Sequence, residues 1–172
     1  MKRILLAFVC VLSLVSLTGC MNFLFPESEV ELETKAIKLA KEVQRGEYKV
    51  LSTAELKEMM DSGAEMLIVD TMPFEDSYKK NHIPGAVQFL FPIPDMNEWD
   101  TKETDGKDVE AFRAMLGDDL DRPLVFYCGF VKCTRSHNGA VWARKLGYTN
   151  VYRHPGGIKA WAEAKYPVST VK

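Results

Sequence analysis

Two short runs carry almost uninterrupted apolar side chains: Leu67-Ile68-Val69, closed by Asp70, and Leu124-Val125-Phe126-Tyr127, closed by Cys128. Apolar runs of this length without alternation suit strands buried on both faces of a parallel sheet. Weaker strand signals stand at Lys49 to Leu51, Ala86 to Phe89 and Asn150 to Arg153. Between them the apolar spacing becomes helical. Leu32, Ala36, Leu39 and Val43 recur on one helix face, with glutamates leading, lysines following and Gly46 ending the run. Ser52 with Glu55 forms a capping box for a helix over 53–63, and Asp108 caps one that starts at Val109. Ala140, Val141, Ala143 and Leu146 mark a helix from Ser136 to a stop at Gly147, and a short helix follows Pro155-Gly156-Gly157. Pro92 to Lys107 is polar and proline-bearing, and reads as an extended surface connection. Strands that alternate with helices predict an α/β fold, a parallel sheet of about five strands with helices on both faces.

The first residues bear on where the domain works. Lys2-Arg3, the apolar run Ile4 to Val15 and Leu17-Thr18-Gly19-Cys20 give a charged start, an apolar segment short for a membrane span, and a small-residue cleavage site. An export signal is expected over 1–19. Its LTGC ending resembles a bacterial lipobox, which implies cleavage before Cys20 and lipidation of that residue. Residues 20–48 are then a lipid-anchored tether and an amphipathic helix, expected to pack against a domain of residues 49–172. The expected location is the cell envelope, with the domain anchored on the extracytoplasmic side of the membrane. Charge adds little, since 22 Lys and Arg stand against 24 Asp and Glu for a net −2. No basic cluster stands out, which argues against a nucleic-acid partner.

Cysteine usage narrows the chemistry. Of four cysteines, Cys10 leaves with the signal and Cys20 carries lipid, so Cys128 and Cys133 are the remaining candidate thiols. Two cysteines make no disulfide scaffold, and the Cys and His spacing offers no recognisable metal site. Cys128 ends a strand, Gly129 is expected to allow an unusual turn, and a helix starts shortly after; a thiolate is favoured in that setting. Cys128 is therefore the candidate catalytic residue. Gly129, Phe130, Val131, Lys132, Cys133 and Thr134 supply loop amides, and Arg135 and Ser136 close the candidate substrate-binding loop. Arg135 offers a planar donor fork to an oxyanion or stabilises the loop itself. Cys133 is either a resolving thiol that takes Cys128 to a disulfide, or a loop residue whose amide alone matters. Lys132 is expected to be a solvated charge that attracts anions, and His137 to face solvent. His82 is expected to hold its turn against Asp70 or nearby backbone, and His154 to shape the turn that follows it.

The order LIVD at Leu67 to Asp70, HIPGA at His82 to Ala86, VFYC at Val125 to Cys128, Arg135-Ser136, LGYTNVY at Leu146 to Tyr152 and GGIKAW at Gly156 to Trp161 resembles a rhodanese domain spanning about Val50 to Val168. The resemblance implies a three-layer fold and a Cys128 that carries sulfane sulfur as a persulfide cradled by loop amides. That covalent intermediate stands in place of a cofactor. Thiosulfate or polysulfide would be the donor, and cyanide or a thiol, including a protein thiol, the acceptor. The run CGFVKCTRSHNGA is most similar to periplasmic polysulfide-sulfur transferases. Two departures stand out. Gly129 to Thr134 make a longer loop than is common, nearer that of the related phosphatases. Met72 stands where many members have arginine and Ser77 where glutamate is usual, so a customary internal ion pair is missing. A non-enzymatic sulfur-binding or interaction module stays as the alternative, with an anion hydrolase or dithiol reductase as the third reading.

Overall fold

The computed structural model describes residues 27–171. The expected signal over 1–19 and the expected lipidation site Cys20 lie outside the described residues. Helix α1 (Glu29–Gly46) opens on the reciprocal Ser28 and Glu31 capping box, which satisfies backbone N–H groups the helix leaves free. It ends at Gly46, as the sequence predicts, and the residue in the left-handed region is the cap Glu47 at φ 51° rather than the glycine. Gly46 serves close approach instead, because a Cβ there would come within 2.4 Å of the Tyr48 ring.

Strand β1 (Lys49–Val50) leads to α2 (Thr53–Asp61), which opens on the predicted Ser52 and Glu55 box. Then come β2 (Leu67–Asp70), a π-helical turn over Phe74–Tyr78 that sequence reading missed, and β3 (Val87–Gln88). The chain continues through α3 (Val109–Leu116), capped by Asp108, to β4 (Leu124–Tyr127) and α4 (Arg135–Lys145). Strand β5 (Val151–His154) and α5 (Gly157–Glu163) complete it. All five strands are parallel, in the order β1-β5-β4-β2-β3.

Alternation along the central strands divides the core into two layers. Leu67, Val69, Leu124 and Phe126 meet Phe112, Leu116, Ala140 and Ala143 on the side of α3 and α4, with Val43 of α1 packed against them. Ile68, Val125 and Tyr127 meet Leu56, Ile83, Ile158 and Trp161 on the side of α2 and α5. The result is the expected helix-sheet-helix sandwich. Among the described residues no helix is long and apolar enough to cross a membrane.

The stretch from Pro92 to Lys107 departs from the expected surface connection. Met96 is buried, and Trp99 packs edge-on against Trp142 with ring centroids 5.0 Å apart. Asn138 donates to the carbonyls of Pro92 and Pro94 at 2.8 Å, and Trp142 Nε1 donates to Met96 O at 2.9 Å. Two apolar anchors in a polar segment, and side chains from a distant helix, fix this stretch onto the core.

Asp70 ends β2 fully buried. One carboxylate oxygen accepts the Met72 N–H at 2.9 Å, and the other has no hydrogen-bond partner among the described residues. Met72 in the position of the usual arginine leaves this carboxylate without a cation of its own. Burial pushes its pKa from 3.8 up to about 6, against weaker opposing pulls from Tyr127, the Met72 N–H and His82. The folded chain therefore holds this proton more tightly than the unfolded chain does. Its stabilising effect is complete below 3.8 and is lost as pH rises through about 6. Asp70→Asn is expected to gain on the wild type by up to about 3 kcal/mol across that window. Urea unfolding of both proteins at a series of pH values checks it; a constant difference would show that the carboxyl does not titrate.

Candidate active site

Strand β4 delivers Cys128, fully buried, into a loop that folds back through a Cys133 N–H bond to Phe130 O at 2.9 Å. The turn after β5 braces the loop's beginning. Ile158 N–H donates to Cys128 O at 2.9 Å, and Lys159 N–H to Gly129 O at 3.0 Å. Gly157, at φ 63°, makes this contact possible: a Cβ there would lie 2.2 Å from Cys128 O. A trans peptide points its N–H opposite its C=O, so those two bonds aim the Gly129 and Phe130 amides away from α5. Gly129 itself has no left-handed φ, and a Cβ there would meet only Met72 at 3.5 Å. The glycine the loop requires is therefore Gly157, and the expected special turn at Gly129 is absent.

The two thiols share one polar environment. Cys128 Sγ donates to Cys133 O at 3.2 Å and lies 3.2 Å from Ser136 Oγ. Burial pushes the Cys128 thiol well above its ordinary pKa, and adjacent Cys133 adds to the rise. Cys133 moves the other way. The adjacent Cys128 side chain, then the N–H groups of Arg135 and Gly129 and the Arg135 charge, hold its pKa below the ordinary thiol value despite burial. The loop amides therefore favour an anion at Cys133, while burial opposes one at Cys128.

Arg153 on β5 holds the loop's far end. Its guanidinium is fully buried, with Nε donating to Ser136 Oγ at 2.9 Å and Nη2 to Cys133 O at 2.9 Å. Nη1 reaches Glu42 Oε2 at 2.5 Å and Tyr48 OH at 3.1 Å. Because Ser136 Oγ accepts from Arg153, its own hydrogen is free to point at Cys128 Sγ. Glu42, 5% exposed on α1, supplies the compensating charge. A buried guanidinium without such a partner is costly.

The remaining candidates fall into place around this cluster. His137 does not face solvent: it is buried, 2.8 Å from Tyr48 OH through Nδ1 and 3.0 Å from Arg45 Nη2 through Nε2. Arginine has no acceptor, so Nε2 accepts and Nδ1 carries the proton. Burial holds this imidazole down at about 4, hence neutral near pH 7. Arg135 turns its guanidinium to Phe91 O, and Thr134 Oγ1 bonds Ile93 O, so both side chains tie the loop to the 91–96 segment. Phe130 and Val131 are exposed at the loop tip, beside a cleft of about 890 Å³ that Lys35, Lys132 and Lys159 also line. Lys132 lies 3.8 Å from Glu27, which also pairs with Lys35 of α1. His82 contacts Tyr78 O at 2.8 Å and stacks on the Tyr78 ring, while His154 contacts Leu51 O at 3.2 Å. Among the described residues no three His, Cys, Asp or Glu side chains converge as metal ligands would.

Sequence reading missed Arg153, Glu42 and Tyr48. A trace of the first was present: Arg153 shares its strand face with core residue Val151. Glu42 likewise falls between Leu39 and Val43 on the inner side of α1. A charge on an inward face of each element is a signal for a buried pair, though not for which pair.

A family model described as Rhodanese-like domain matches residues 52–164. Among solved structures, thiosulfate sulfurtransferase from Pseudomonas aeruginosa is 23% identical with a TM-score of 0.57, over 81% of this chain and 23% of its own. A full-length protein from Lactobacillus plantarum is 17% identical with a TM-score of 0.53, over 81% of this chain and 99% of its own. A protein of unknown function from Rhodopseudomonas palustris, described as a possible tyrosine phosphatase, is 23% identical with a TM-score of 0.51, over 74% and 91%. At these identities the likeness is one of fold. No curated protein matches the chain. Glu42 and Tyr48 precede the matched residues, so the ion pair joins a preceding helix to the matched region.

Glu42→Ala and Arg153→Ala are each expected to lower stability by about 3 kcal/mol. The double variant should lose much less than the sum, since the second change removes a charge that the first left unpaired. Urea unfolding of the four proteins checks it, and additive losses would contradict the pairing.

Proposed function

The chain belongs to the rhodanese-like domain family, and on that premise we propose that it is an envelope-anchored sulfurtransferase carrying sulfane sulfur as a persulfide on Cys128. The observation that carries the proposal is the setting of Cys128 at the end of β4: its Sγ lies 3.2 Å from both Ser136 Oγ and the Cys133 carbonyl, and Arg153 holds those two oxygens at 2.9 Å. A thiolate attacks sulfane sulfur. Cys128 is the attacking sulfur, and the Ser136 hydroxyl 3.2 Å away is positioned to donate to its thiolate.

With thiosulfate as donor, the Cys128 thiolate attacks the outer sulfur, a new S–S bond forms, the donor's S–S bond breaks and sulfite leaves with the electron pair. With polysulfide the same attack expels a chain one sulfur shorter. The persulfide's outer sulfur then passes to cyanide or to a thiol, which returns the Cys128 thiolate. The cleft at the loop tip is lined by Lys35, Lys132 and Lys159 and equally by Glu27, Glu31 and Glu163, so it offers donors mixed charge rather than a net positive field. Arg135 contributes by fixing the loop, since its guanidinium is committed to Phe91 O.

The envelope location rests on Lys2-Arg3, the apolar run and Leu17-Thr18-Gly19-Cys20. Membrane fractionation of a Cys20→Ser variant tests it, with loss of the lipid label as the expected result. A second reading, a docking module of the same fold with little turnover, draws support from the complete burial of Cys128.

Cys128→Ser is expected to reduce thiosulfate and polysulfide turnover to the uncatalysed background with little change in stability, because a hydroxyl of similar size forms no persulfide. Turnover with cyanide as acceptor, beside intact mass after donor treatment, checks this. One added sulfur on the Cys128 peptide, removed by cyanide, is the expected signature. Wild-type turnover in the variant would refute the assignment, and uptake without turnover would favour the docking module.

A further inference from the structure

We propose a second activity for the loop: Cys133 resolves the Cys128 persulfide intramolecularly, releasing hydrosulfide and leaving a Cys128–Cys133 disulfide that an external dithiol reduces. The inference rests on the persulfide reading of Cys128. Three observations carry it. Cys128 is fully buried and Cys133 is 7% exposed, so the loop shields the inner sulfur of a persulfide from acceptors in solution. Cys133 is already inside that shield, its backbone carbonyl 3.2 Å from Cys128 Sγ. Arg153 fixes the same carbonyl at 2.9 Å, which keeps the second cysteine beside the first.

The step balances within the loop. The Cys133 sulfur attacks the inner sulfur of the Cys128 persulfide anion, an S–S bond forms between the two cysteines, and the bond to the outer sulfur breaks. The outer sulfur leaves with that bond's electron pair and takes the Cys133 proton, departing as hydrosulfide. Sulfane sulfur is thereby reduced by two electrons, and two cysteine sulfurs are oxidised to the disulfide. A dithiol, either a small molecule or a protein with a redox-active cysteine pair, reduces the disulfide and restores both thiols. An attacking group held in place can replace a concentrated external one, because proximity is worth large effective concentrations. In this reading the loop hands its sulfur to cyanide or monothiols by transfer, and to dithiols by reduction.

The purified full chain and its Cys133→Ser variant are loaded with excess polysulfide, freed of donor, and followed without reductant by sulfide release and by mapping of the Cys128–Cys133 peptide. The wild type is expected to release one sulfide per loaded Cys128 and to yield the cross-linked peptide, two hydrogens lighter than the reduced form. Compared per loaded Cys128, as counted by intact mass, the variant should retain its added sulfur and release sulfide at least about a hundredfold more slowly. Sulfide release from the variant at the wild-type rate, or a wild type that keeps its persulfide with no cross-link, overturns the inference while the persulfide reading stands. Failure of both proteins to take up sulfur on Cys128 overturns that reading and this inference together.

Discussion

The buried charge of Arg153 is the constraint on which the site depends. A guanidinium shut away from water must have its charge balanced and its donors occupied, or the fold pays several kilocalories per mole. Glu42 balances the charge, and Ser136, Cys133 O and Tyr48 occupy the donors. Ser136 and the Cys133 carbonyl touch the Cys128 thiol, and Tyr48 touches His137 on the helix beside it. The electrostatic requirement of one arginine therefore fixes the far end of the cysteine loop, while backbone bonds from α5 fix its near end.

This arrangement gives α1 a part in the chemistry. Glu42 and Arg45 come from that helix, and Tyr48 follows it directly; together they surround Arg153 and His137. Lys35, one face further along, reaches the cleft at the loop tip. The helix stands outside the residues that match the family, yet the loop of the matched region closes on its carboxylate. What the chain adds before the family region is thus bound into the site's framework through the Glu42–Arg153 ion pair and the contacts of Arg45 and Tyr48 with His137.

Much of the fold was legible because local signals and burial agree. The runs at Leu67 and Leu124 are apolar on both faces because helices cover both faces, and the Ser52 and Asp108 caps sit where their helices begin. Cys128 was legible as a site candidate because a strand end, a loop and a helix start are local features. What escaped notice depends on chain separation. Glu42 and Arg153 lie 111 residues apart, and no local pattern states that they meet. His137 looked solvated because its enclosing partners, Arg45 and Tyr48, arrive from α1. Pro92 to Lys107 looked like surface because its anchors are two residues, Met96 and Trp99, and the donors that hold it belong to α4.

The division of charge between the sulfurs also follows from tertiary geometry. A strand end followed by a helix suggests where an anion is stabilised, but the curl of the loop decides which sulfur lies against the amides. Coupled groups titrate as a pair, and the pair's two protons come off far apart when one charge is strongly favoured and a second strongly opposed. Thiolate absorbance of the reduced full chain as a function of pH, read against the same titration of Cys128→Ser and Cys133→Ser, tests this most directly. One thiolate of the pair is expected to form below the ordinary thiol range and the second above it, with the early step lost when Cys133 is replaced. Two overlapping ionisations near the ordinary thiol value, unchanged in position by either replacement, would contradict it.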